Sequence, residues 1–203
     1  MNQPEYFLII GLVSFIIGSI PWGFILGKLL KNKDIRTQGS GNIGTTNAFR
    51  TSGPAVGVLT LILDFFKGWI PCLVAGRLMG DEVLIAITGL CAVLGHCYSV
   101  FLSFKGGKGI ASSAGVIAYF DYRVLLVLLT VFILVLLAGK IVSLASISAA
   151  IAAPITGQLL SVAIPYRIVI LMLALLVIFR HQANIQRLRA GTESKIFSGK
   201  HKK

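Results

Sequence analysis

Long apolar runs separated by short polar stretches fill the chain. The first covers residues 6–30 and is interrupted by Pro21 and Gly23; a polar, basic stretch over 31–52 separates it from a second run, 53–79, that carries Asp64, Lys67 and Pro71. Others follow at 83–103, 110–120, 122–139, 141–163 and 165–180. A helix needs about 20 apolar residues to cross a bilayer core, and most of these runs reach or approach that length. The pattern predicts an all-α membrane protein, a bundle of seven transmembrane helices, some of them short or broken. Charges and a proline in mid-span predict a break in the second run. The short run at 110–120 is expected to cross only as a tilted or partly buried segment. No shift in composition marks a second domain, so residues 1–203 read as one polytopic membrane domain ending in a basic tail, 181–203.

Composition agrees with this picture. Hydrophobic residues make up 56% of the 203 and charged residues 13%, with a mean hydropathy of +0.87, where soluble domains carry about 25% charge. The formal charge of +12 suggests nucleic acid only until the basic residues are placed. They are interleaved with runs of bilayer length, so an anionic leaflet or a phosphorylated substrate is the expected partner and nucleic acid is not. With the N-terminus outside, seven crossings leave Arg77, Arg123 and Arg167 on the outer side and Lys67 within a span. The remaining Lys and Arg then collect inside, together with the C-terminus. The opening MNQPEYFLII lacks a basic n-region and leads into a run too long for a signal peptide, so no cleavage is expected. Cys72, Cys91 and Cys97 are odd in number, sit in apolar context and lack CxxC spacing; buried thiols are expected, with neither disulfide nor metal. Carboxylates are few and scattered, and no metal or cofactor is expected.

One polar stretch does not fit a simple span or a simple turn. Gly95 to Gly115, GHCYSVFLSFKGGKGIASSAG, sets Lys105 and Lys108 among Gly106, Gly107 and Gly109 between apolar runs. Glycines let backbone N–H groups approach a ligand, and ammonium groups favour an anion, so the stretch reads as an anion cradle. A second glycine-rich stretch, Gly39 to Arg50, matches GxGxxG literally. A basic loop precedes it where a dinucleotide fold needs a strand, and the acidic residue at the right distance, Asp64, lies in an apolar run. Neither stretch fits GxxxxGK[ST]. What remains is a set of backbone donors, the side chains of Ser40, Asn42 and Asn47, and Arg50 for bidentate contact with phosphate. A third cluster, Arg180 to Glu193, places His181 and Asn184 three apart on one helix face. Ser143 and Ser146, also three apart, follow Lys140. All four clusters fall on the same predicted membrane face.

Taken together, GSGNIGTTNAFR, DFFKGWIP, GHCYSVFLSFKGGKGIAS and RHQANIQRLRAGTE resemble the bacterial acyl-phosphate:glycerol-3-phosphate acyltransferases, over nearly the whole chain and in order. The resemblance implies a polytopic enzyme of the bacterial inner membrane with its active site toward the cytoplasm. It implies transfer of a fatty acyl group from long-chain acyl phosphate to the sn-1 hydroxyl of glycerol 3-phosphate, giving lysophosphatidic acid, and Ser40, Arg50, Lys108, Ser146, His181 and Asn184 as polar lining. Thr45, Ser99 and Ser112 depart from the residues usual at those places. The partners would be the two substrates and membrane lipid, and a monomer is expected.

Acyl phosphate is an activated mixed anhydride, so the enzyme's task is to hold two anions together at the membrane surface. Arg50, Lys108 and Lys105 supply positive charge, with Ser143 beside them. The N–H groups of Gly106 and Gly107 and the Asn184 amide can donate to phosphate or to the developing oxyanion. His181 is the expected general base, with a substrate phosphate oxygen as the alternative. No HxxxxD box is present: Phe101 and Gln186 stand where His96 and His181 would need an aspartate. A transporter for a phosphorylated solute is the competing reading, on the strength of intramembrane Asp64 and Lys67. Simpler roles also exist: an Asp64–Lys67 pair, a helix-packing His96, and serines bonded to their own helix carbonyls.

Overall fold

The computed structural model describes residues 3–196, so Lys200, Lys202 and Lys203 of the predicted tail lie outside the described residues. The described residues are helical, without strands. α1 (Gln3–Ser19) and α2 (Trp22–Lys31) form the first run, broken at Ile20–Pro21 where proline supplies no N–H. α3 (Thr45–Ser52) ends at Gly53, and α4 (Pro54–Leu78) begins at once. α5 (Glu82–Cys97), the short α6 (Ile110–Phe120), α7 (Tyr122–Gly139) and α8 (Val142–Leu159) follow. α9 (Ile164–Arg180) then bends by 57° into α10 (Gln182–Arg189).

Among the described residues, five segments are long and apolar enough to cross a membrane, or six if α9 and α10 are taken as one. α6 is too short on its own, and it is also mostly buried, packed against α4, α5, α7 and α9. The expected break in the second run is not found: α4 is continuous through Pro71. Its two charges are paired inside the helix, with Lys67 Nζ 2.8 Å from Asp64 Oδ1, so neither requires the backbone to open.

Glycine permits the closest helix approaches. A Cβ on Gly68 would strike the Ser112 carbonyl of α6, and one on Gly115 would strike the Phe65 carbonyl of α4. The two backbones therefore meet through reciprocal small residues. The main apolar core runs through α4 to α9 and includes Cys72, Val93, Val116, Ile170 and Leu173, with Phe120 stacked on Tyr166 at 4.3 Å. A smaller core of Ile35, Ile43, Ala48, Val56 and Leu102 anchors the first polar loop. The outer face of α7, including Leu126, Leu134 and Leu137, is left for lipid.

Candidate active site

The bend at His181 turns the chain across one end of the bundle. After α10 the backbone folds back far enough for Ile196 N–H to donate to the Lys140 carbonyl at the α7–α8 turn (2.8 Å). This return brings Glu193 over Ser143. The Ser143 hydroxyl donates to Glu193 Oε1 at 2.7 Å and the Asn184 amide donates to the same oxygen at 2.6 Å. Arg187 Nε donates to Glu193 Oε2, also at 2.6 Å. On its other side, Asn184 Oδ1 accepts from Lys108 Nζ at 2.5 Å. Arg50 reaches the Ser194 carbonyl at 3.5 Å. Arg50, Lys108, Ser143, His181 and Asn184, from separate polar stretches, thus lie at one end of the molecule.

The electrostatics follow from this packing. Burial lowers Lys108 to about 8; Glu193 opposes that, while Arg187, Arg50 and Arg180 reinforce it. Burial works against ionised Glu193, yet hydrogen bonds from Ser143, Asn184 and Arg187 hold its carboxyl below the usual range. His181 is buried, and burial lowers it to about 4, with nearby Lys108 contributing in the same direction. Its Nδ1 lies 2.7 Å from the Val177 carbonyl, which can only accept, so Nδ1 carries the proton and Nε2 is left as the basic nitrogen.

Several expected site residues are used differently. Gly106 N–H donates to the Cys97 carbonyl and Gly107 N–H to the His96 carbonyl, at 3.1 and 3.0 Å. These two groups therefore do not face an anion. The glycines are required because side chains there would strike the 96–97 backbone or the His96 ring. Asn47 is buried and spends its side chain within its own loop, donating to the Ile35 and Gln38 carbonyls and accepting from Ser40 N–H. Asn42 accepts from Gly44 N–H. Ser146 donates to the Val142 carbonyl of its own helix, whereas Ser143 does not. Lys105 is exposed and Lys108 is not, which separates two lysines of identical type.

Two residues were missed. Glu193 is the shared acceptor of the cluster, and its signal was a lone acidic residue closing the basic motif RHQANIQRLRAGTE. Arg180 donates to the carbonyls of both Gly106 and Gly107, at 3.0 and 3.1 Å, and lies over the Tyr98 ring.

An apolar cavity of about 90 Å³ opens beside the cluster between α6, α7, α8 and α9. Ser146 and Val177 line its polar end and Ala153 and Ile170 its far end. At 1.5 Å per helical residue, the distance from Ser146 to Ala153 is about 10 Å along the helix. The Ser113 hydroxyl also lines it, buried and without a hydrogen-bond partner.

A cationic, amide and imidazole cluster at the mouth of an apolar cleft, on a helical bundle with several segments apolar enough to cross a membrane, fits a membrane-integral enzyme. The glycerol-3-phosphate acyltransferase family model matches residues 8–191, and the chain belongs to that family. It is 47% identical over 190 residues to the glycerol-3-phosphate acyltransferase of Geotalea daltonii, covering 94% of this chain and 96% of that one. It is 43% identical to one from Staphylococcus aureus, covering 91% and 95%. Crystal structures of PlsY, an integral membrane glycerol 3-phosphate acyltransferase, in glycerol 3-phosphate and lysophosphatidic acid forms, match with TM-scores of 0.89 and 0.88. Each is 39% identical and covers 94% of this chain and 95% of the other. This chain is accordingly an acyltransferase, and none of these relatives favours the transporter reading.

Proposed function

We propose that the protein transfers a long-chain acyl group from acyl phosphate to the sn-1 hydroxyl of glycerol 3-phosphate, as a monomer, at the cytoplasmic face of the bacterial inner membrane. The observation that carries this is the Lys108–Asn184–Glu193–Ser143 cluster beside His181 at the head of an apolar cleft. Lys108 and Arg50 attract the two phosphates, with Ser40 and exposed Lys105 at the rim, and the cleft takes the acyl tail. The sn-1 oxygen attacks the acyl carbonyl, the bond from carbonyl carbon to phosphate oxygen breaks, and inorganic phosphate leaves. The hydroxyl proton passes to His181 Nε2 or to a phosphate oxygen. Asn184 gives its amide to Glu193, and Glu193 thereby fixes the Asn184 oxygen toward Lys108. Ser146, bonded to its own helix, can turn its hydroxyl to substrate at the cleft mouth.

The basic residues support the orientation, because the cluster end gathers Arg50, Lys108, Lys140, Arg180 and Arg187, while Arg77, Arg123 and Arg167 lie in the terminal turns of α4, α7 and α9 at the opposite end. The test is donor choice. Purified protein given glycerol 3-phosphate with acyl phosphate, acyl-CoA or acyl-carrier protein should form lysophosphatidic acid from acyl phosphate alone, with one phosphate released per product. Preference for a thioester would overturn the proposal.

A further inference from the structure

Besides the thiols Cys72 and Cys97, the reaction proposed above leaves unused, among the described residues, the buried ionisable side chains of Asp64 and Lys67 in α4 and of His96 near the end of α5. Lys67 Nζ pairs with Asp64 at 2.8 Å and donates to the Ile20 carbonyl at 2.8 Å. Ile20 lies at the α1–α2 break, where Pro21 leaves carbonyls without their usual helical donors. The neighbouring Ser19 carbonyl accepts from the Ser99 hydroxyl. His96 Nδ1 faces Asp64 Oδ1 at 3.8 Å and forms no hydrogen bond. The opposite edge of the ring, Nε2, lies against Gly107, where an added Cβ would overlap it. The His96 carbonyl also receives Gly107 N–H at 3.0 Å. The next residue is Lys108.

Buried ion pairs contribute little net stability, since desolvation offsets their attraction, and apolar residues of the same volume often serve as well. Placement is the better account of this one. We propose that Asp64, Lys67 and His96 form a positioning cluster that sets the height of the Gly106–Gly107 turn and thereby aims the Lys108 ammonium at the phosphate of glycerol 3-phosphate. α4 supplies the fixed charges, and the imidazole, held between Asp64 and Gly107, transmits their position. Arg180 clamps the same turn from the other side through its two carbonyls. The three residues touch neither substrate and act through Lys108. The inference rests on the reaction proposed above.

The test compares His96→Ala, His96→Gln and unmodified protein in lipid nanodiscs, measuring kcat and the KM of each substrate from lysophosphatidic acid formation. Glutamine places an amide nitrogen where Nε2 lies, whereas alanine leaves the turn unsupported. His96→Ala should raise the glycerol 3-phosphate KM about tenfold or more, the size expected of a small misplacement. Its kcat should stay within about threefold and its acyl phosphate KM should not move, and His96→Gln should recover most of the loss. An unchanged glycerol 3-phosphate KM, a parallel rise in both KM values, or glutamine no better than alanine overturns the cluster. If His96→Ala does not fold, His96→Asn, which has no atom at the Nε2 place, takes its part in the same comparison. Absence of product from the unmodified protein would count against the reaction itself and is read before any variant.

Discussion

The two glycine-rich stretches are alike in composition and differ in cause. In the first, Gly39 and Gly41 have φ of +61° and +69°, so the backbone itself requires glycine. The loop is held from within by Asn47, whose side chain satisfies three backbone groups. In the second, Gly109 shares that requirement with a φ of +84°, but Gly106 and Gly107 lie outside the left-handed region. They are glycine because the 96–97 backbone and the His96 ring lie where a side chain would be. One loop is self-braced and offers its rim, whereas the other is pressed onto the bundle so that the lysine after it points into the site. The same contrast separates two buried asparagines. Asn47 is consumed by its own loop, while Asn184 spans two elements and faces Lys108.

If the second loop exists to aim Lys108, the largest effect comes from removing that charge. Lys108→Met should lower kcat/KM for glycerol 3-phosphate by about 10²- to 10³-fold, the range for losing one preorganised electrostatic contact. Lys105→Met, at an exposed position, should change it by less than about threefold, within the small contribution of an exposed charge. Initial rates of product formation give both values, and equal losses would erase the distinction. Asn47→Ala tests the first loop by stability. It strands the Ile35 and Gln38 carbonyls and Ser40 N–H, at about 1 kcal/mol or more for each group kept from water. The thermal midpoint in detergent should fall by several degrees. Activity per folded molecule should fall less than in Asn184→Ala, which removes the partner of Lys108.

Much of this was legible in the sequence. The apolar runs fall on the helices, Pro21 marks a real break, and Arg50, Lys108, Ser143, His181 and Asn184 meet at one end. Backbone usage was not legible. The sequence identifies Gly106 and Gly107 but cannot show that their N–H groups are already bonded to carbonyls of α5. It shows Pro71 between charges but not that Asp64 and Lys67 neutralise each other without opening α4. Glu193 was hidden for a related reason. Its role depends on the chain turning back from α10 to the α7–α8 corner, a long-range contact that no local pattern encodes.

The finest separation of the two lysines lies in the pH profile. Burial lowers Lys108 to about 8, so its ammonium is charged below that pH and progressively neutral above it. The contribution to phosphate binding is therefore present at neutral pH and lost as pH rises through about 8. The limb seen in kcat/KM belongs to the free enzyme, and a single required proton makes it fall toward about tenfold per pH unit. Lys108→Arg should remove this fall, because guanidinium stays charged across the range. Some activity will be lost because the fork is bulkier than an ammonium. The second ionisation of a phosphate monoester, near about 6, is common to both proteins and cancels in their ratio. At the acid end, burial lowers His181 to about 4, so Nε2 is free above that pH and is protonated only as pH falls through it. A profile that falls above about 8 in the parent and in Lys105→Met, but not in Lys108→Arg, assigns the limb to the lysine pressed into the site. A limb that persists in Lys108→Arg would assign it elsewhere and remove the electrostatic half of the contrast between the loops.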